Sequence, residues 1–65
     1  MIRFLEYRTA QQGIAYVRLD DISAIVPDQE SSTPRSRIYV LSDPACQLQA
    51  EGLPADVLRG RIIVR

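Results

Sequence analysis

The stretch VRLDDISAIVPD, Val17 to Asp28, decides how this chain is read. It sets two adjacent aspartates between two apolar runs, so Asp20 and Asp21 are either working carboxylates or the corner between two strands. Successive strand residues point to opposite faces, so neighbouring carboxylates converge on one metal or substrate only in a turn. In a turn, an aspartate commonly accepts a main-chain N–H two or three residues on. The pattern fits that ordinary job, with one strand ending at Leu19 and another starting near Ile22. Catalysis would also need a partner acid or base, and the nearest other acids, Asp28 and Glu30, fall in a polar segment beyond Pro27. A calcium loop needs alternating acids and a glycine over about 12 residues, and neither occurs here. Spacing therefore predicts a corner.

Working outward, both flanks alternate with period two, the strand signal. In GIAYVRL, Ala15, Val17 and Leu19 share one face, and Ile14, Tyr16 and Arg18 the other. In SRIYVLSD, Ile38 and Val40 oppose Tyr39 and Leu41, and four apolar residues in a row suggest a strand covered on both faces. Between these runs, DQESSTPRS (residues 28–36) has no apolar residue and reads as a flexible polar loop. Asp43-Pro44 breaks the later strand, and ACQLQA follows with Cys46, Leu48 and Ala50 inward and Gln47 and Gln49 outward. The opening IRFLEYR is a strand by its aromatic and β-branched content. Gln11-Gln12-Gly13 supplies the turn after it, because Gly13 is free to take positive φ.

The tail holds the ambiguity. GLPADVLRG looks like a helical turn near residues 54–59, with Pro54 in its first turn, Asp56 near its positive end and Gly60 closing it. RIIVR then reads as a final strand, Ile62 and Val64 alternating with Arg61, Ile63 and Arg65. The competing reading runs a helix through Leu58 and Ile62 to the C-terminus, which would make the fold α+β. The expected architecture is mostly β: one domain over residues 1–65, four to five short strands and one helical turn. It forms either a small antiparallel sheet or an SH3-like barrel, since a helical turn before a closing strand is the order such barrels show.

Composition limits the chemistry. A 65-residue chain buries only about 60% of the surface its unfolded form exposes, so chains this small often rely on disulfides, a metal or a partner subunit. One cysteine forms no intrachain disulfide, and the chain has no histidine to complete a zinc site of the usual kind. A homo-oligomer is therefore the expected source of added stability. Eight arginines balance eight acids, which removes the simplest argument for nucleic-acid or anionic-membrane binding. No apolar run approaches the roughly 20 residues that cross a bilayer. MIRFLEYR does not read as a signal peptide, and the lone thiol suits a reducing compartment. The expectation is a cytoplasmic protein without membrane contact.

Catalytic constellations do not emerge. Cys46 has no histidine to activate it and sits on an apolar face as a small core residue. Ser31, Ser32 and Thr33 lack a base as well, and the three glycines are isolated, so no phosphate loop forms. The reading carries no catalytic, metal or cofactor-binding residue. Tyr39, Leu41 and Tyr16 are the candidate protein-contact residues, because buried aromatics dominate interfaces. Arginine is the only basic residue and clusters near both ends. If the first and last strands pair, Arg3 and Arg8 with Arg59, Arg61 and Arg65 could make one basic face, with tyrosines stacking on bases; Arg3, Arg59, Arg61 and Arg65 are the candidate nucleic-acid contacts.

The order M-I-R, a hairpin Gly13, V-R-L-D-D-I-S-A-I (Val17 to Ile25), a loop, I-Y-V-L-S-D (Ile38 to Asp43) and P-A-D-V-L resembles the short FlbD-like proteins associated with bacterial flagella. The likeness spans most of the chain as hydrophobic spacing. It departs at Asp43-Pro44, where a hairpin Asp-Gly or Asn-Gly is expected, at the long loop after Pro27, and at Gly60, which interrupts the closing helix. The resemblance implies a non-enzymatic accessory or regulatory protein and supplies no site residue. The expected function is thus a non-catalytic interaction module that self-associates and binds a protein. The alternative is a nucleic-acid-binding barrel that uses an arginine face.

Overall fold

The computed structural model describes residues 1–9, 11 and 13–65. Six strands form one antiparallel sheet: β1 (Arg3–Thr9), β2 (Gly13–Arg18), β3 (Ile22–Pro27), β4 (Arg35–Val40), β5 (Gln47–Glu51) and β6 (Ile62–Val64). The strands run in the order β2-β1-β5-β4-β3, and β6 adds to β1. A single short helix, α1 (Pro54–Leu58), precedes β6. The fold is mostly β, as the alternating runs predict, with more strands than the expected four to five.

The sheet divides into two halves that share little ladder. On one side β1 lies between β2, with Phe4 opposite Arg18 and Glu6 opposite Tyr16, and β6, with Phe4 opposite Ile63. On the other side β4 lies between β5, with Ile38 opposite Leu48, and β3, with Ile25 opposite Ile38. Among the described residues, Thr9 opposite Ala50 is the one pair that joins β1 to β5. The core-facing side chains of both halves meet in one cluster of Leu5, Tyr7, Val17, Ile38, Val40 and Ala50, which α1 caps with Val57. Ala15, Leu19, Ile22, Ile25 and Leu48 pack against it half-buried, so the residues grouped on one face in GIAYVRL and in SRIYVLSD stay together, and Leu48 and Ala50 of ACQLQA point inward as expected.

The barrel alternative does not hold, because the sheet stays open. Its ends are β2 and β3, which are consecutive in sequence yet joined by a one-turn 3-10 corner, Leu19–Asp21. A hairpin between them would need a tight turn that folds the chain back on itself. The corner instead carries β3 away to pair with β4.

Two boundaries shift with physical reasons. The polar segment expected as one loop over 28–36 ends earlier, since Arg35 and Ser36 open β4. Ser36 is fully buried, and its hydroxyl donates to the Gly52 carbonyl at 2.7 Å. Gly52 takes φ +98°, where a side chain would be strained, and donates its own N–H to Pro34 O at 2.9 Å. The C-terminal helix alternative also fails, because residues 62–64 form a strand. Gly60 is where the chain leaves α1, and a Cβ built there would run into the main-chain oxygen of Glu6. Its value is absent bulk against β1, not a left-handed helix cap.

The turn after β1 is partly visible: Gly13 takes φ +79° as expected, whereas Gln12 falls outside the described residues. After β4, the Cys46 N–H donates to Asp43 O at 2.9 Å, closing a β-turn with Pro44 in the position proline favours.

Candidate functional site

The aspartate corner is architectural, though by a longer reach than the sequence suggests. Asp20 forms an exposed ion pair with Arg18 at 2.9 Å. Asp21 accepts from Ser42 twice, from its N–H at 2.9 Å and from its hydroxyl at 2.6 Å. The Asp21 carbonyl takes the Leu41 N–H at 2.7 Å. The expected partner two or three residues on is replaced by one 21 residues away. The carboxylate thus ties the corner to the end of β4. Among the described residues no group of three or more His, Cys, Asp or Glu could hold a metal ion.

Cys46 is half-buried at the start of β5, at the margin of the core. Its charge and, more strongly, burial push the Tyr7 hydroxyl above the usual tyrosine range. Arg37, on the outer face of β4, keeps a buried Nε without a partner.

A more organised surface lies on the outer face of the β2-β1-β6 half. Opposed residues of an antiparallel pair share a face, so the registers place Ile14, Tyr16 and Arg18 of β2 beside Phe4, Glu6 and Arg8 of β1. On the other side of β1, Ile63 stands opposite Phe4. The Glu6 N–H reaches Arg61 O at 2.8 Å, and Ile2 and Arg65 exchange both main-chain bonds at 2.7 and 2.8 Å. The result is a patch that sets Phe4, Tyr16 and Ile63 beside a central Glu6, with arginines at its border. A groove of about 280 Å³ opens among Phe4, Tyr16, Ile63 and Arg65. The Tyr16 hydroxyl donates to Glu6 Oε1 at 3.0 Å. That bond raises the phenol above its usual range, against the pull of the positive Arg61 and Arg65.

The expected site residues are thereby redistributed. Tyr16, half-exposed at 52%, joins Arg61 and Arg65, residues expected to serve different partners. Arg3 pairs with Val64 on the core-facing side of β1, away from Arg61 and Arg65, so the four arginines do not make one face. Arg59 is exposed at the C-cap of α1, and Arg8, also expected on the basic face, lies on the patch opposite Ile14. Tyr39 is half-buried on the outer face of the other half, opposite Gln47, so it does not meet Tyr16. Leu41 is 62% exposed just past β4.

Phe4 and Ile63 are the patch residues that sequence reasoning did not single out. Their signal was present, since RIIVR puts Ile63 in phase with Arg61 and Arg65. A further concavity of about 430 Å³, lined by Tyr7, Ala15, Leu48 and glutamines, lies between the halves near Thr9. No helix among the described residues is long and apolar enough to cross a membrane. Compared with protein families, with curated proteins and with solved structures, the chain matches none.

Proposed function

We propose that this chain is a non-catalytic interaction module of the cytoplasm that self-associates and binds a protein partner. The observation that supports this reading is the amount of large apolar side chain left outside a small core. Ile14, Tyr16, Leu41, Leu53, Leu58, Ile62 and Val64 are all exposed, and Tyr16 borders the groove with Phe4 and Ile63. Apolar surface gathered in patches marks association sites, and a core this small gains stability from a partner. In this reading Tyr16 and its groove form the main contact face, and Tyr39 with Leu41 form a second surface on the other half. The resemblance to FlbD-like proteins points the same way, toward an accessory or regulatory role.

Light scattering on the chromatographed protein tests the self-association: a mass above one chain at micromolar concentration is expected, and a stable monomer overturns it. Affinity capture tests the partner. One protein retained by the wild type and lost on Ile63→Asp supports the groove as the contact, and equal retention by both overturns that assignment.

A second reading has its own observation, the gathering of Arg61 and Arg65 with Tyr16 and Phe4 around one groove. Arginine beside aromatic rings is the pairing that holds single-stranded nucleic acid. That reading expects binding that weakens steeply with salt, and no anisotropy change with single-stranded or duplex probes at low salt ends it.

A further inference from the structure

β6 is open on its far side but only three residues long, and the other two free edges, β2 and β3, are not equivalent. Edge strands expose unpaired main-chain groups, and natural proteins blunt them with proline, bulges, charge or a covering element. β3 has such protection: its register shifts between Ile22 and Ala24, it ends in Pro27, and α1 packs near it. β2, reading GIAYVR, has no proline and no bulge. Its one charge, Arg18, is already neutralised by Asp20.

Antiparallel geometry says which groups that edge offers. In such a ladder, alternate residues direct both N–H and C=O to the same neighbour. Ile2 and Glu6 bond to the β6 side of β1, so the even-numbered residues of β1 face β6 and Leu5, Tyr7 and Thr9 face β2. Their opposites on β2 are Val17, Ala15 and Gly13. The main-chain groups of Ile14 and Tyr16 and the N–H of Arg18 therefore point away from β1, toward the open side, while the Arg18 carbonyl also begins the 3-10 corner as its N-cap. The same three residues carry the outward side chains, with Ile14 55% and Tyr16 52% exposed.

We propose that the β2 edge is where two copies of this chain join. They pair antiparallel about a two-fold axis at Tyr16, so that the two sheets become one. This inference rests on the self-association reading and names its site. Pairing Tyr16 with the partner's Tyr16 sets Ile14 opposite the partner's Arg18, which gives the outward groups of Ile14 and Tyr16 and the Arg18 N–H partners across the seam. It also sets Ala15 opposite the partner's Val17, so core-facing sides stay on one side of the joined sheet. The charge pattern allows this, since no arginine is placed directly across from another and like charges opposed on a sheet are unfavourable. A two-fold axis makes the contact self-complementary and closed, as in most soluble oligomers.

Proline tests the edge with little disturbance to the ladder behind it. At Tyr16 or Ile14 it removes an outward N–H and no bond to β1, a position where edge strands accept proline. Light scattering and circular dichroism on the full chain then separate the outcomes. Wild type and Tyr16→Phe are expected as dimers, and Tyr16→Pro and Ile14→Pro as monomers with an unchanged β spectrum. Folded proline variants that still dimerise overturn the β2 edge while leaving self-association standing, whereas a monomeric wild type overturns both. Hydrogen exchange on the wild type decides the matter without any variant. The Ile14, Tyr16 and Arg18 amides are expected to be protected, increasingly so with concentration. Free exchange at those amides in an associated sample overturns the proposal.

Discussion

Gly60 shows how a single residue can be required for room and not for backbone freedom. Its neighbours are the Glu6 and Val57 carbonyl oxygens and a methyl of Leu5, so even one carbon displaces either β1 or the exit of α1. Overpacking of this kind costs about 1–3 kcal/mol. Gly60→Ala is expected to lower the melting temperature, and Gly52→Ala, which meets only ordinary contact with Asp56, should be limited to the strain of its positive φ. Thermal denaturation of the two variants side by side checks both. Tyr7 carries a second residue-scale expectation. Burial holds its hydroxyl above the usual range, so the folded chain keeps that proton to higher pH than the unfolded chain does. The associated stability is complete below the unfolded tyrosine pKa of about 10 and is lost as pH rises through the folded value. Denaturant titrations above that pH should show stability falling in the wild type and falling less in Tyr7→Phe.

Among the elements, the 3-10 corner does more than join β2 to β3. By holding Ser42 through Asp21, it fixes where β4 ends, and so anchors the Ile22–Val40 end of the β3-β4 ladder. Removing both bonds with Asp21→Ala is expected to cost about 1 kcal/mol, which for a domain this size lowers the melting temperature by about 4–8 °C. The binding properties of the β2-β1-β6 face should not change, and a shift in them would mean the corner shapes that face. The elements also show what was legible beforehand. Alternation in GIAYVRL and SRIYVLSD grouped Val17 with Ala15 and Leu19, and Ile38 with Val40, because a two-residue period is a local property of the chain; which group turns inward is set by the sheet as a whole. Ser36 was misplaced in a loop because its burial depends on a carbonyl 16 residues away. Asp21 was rightly read as a corner with the wrong partner for the same reason. The arginine face failed on parity: pairing of the first and last strands was anticipated, but only the register shows that Arg3 and Arg61 fall on opposite sides.

For the whole molecule, the proposed joining of open sheets would make stability a property of the assembly. Anything that binds only the folded form raises its apparent stability by mass action. If copies associate through folded sheets, the melting temperature should climb with protein concentration and stop climbing in Tyr16→Pro. Calorimetry over a concentration series checks this, and a flat series in the wild type counts against association.

The pairing of Ile2 with Arg65 bears on how fast this fold is reached. That ladder joins the positions farthest apart along the chain, and such contacts come late because the intervening segment must first be gathered in. The same pairing sets Met1 close to Arg65 in space. A permuted chain, with a short glycine bridge from Arg65 to Met1 and new ends opened within residues 29–33, would turn the most remote contact into a hairpin. Stopped-flow refolding of that permutant should be faster than that of the original order, and its circular dichroism spectrum should be the same.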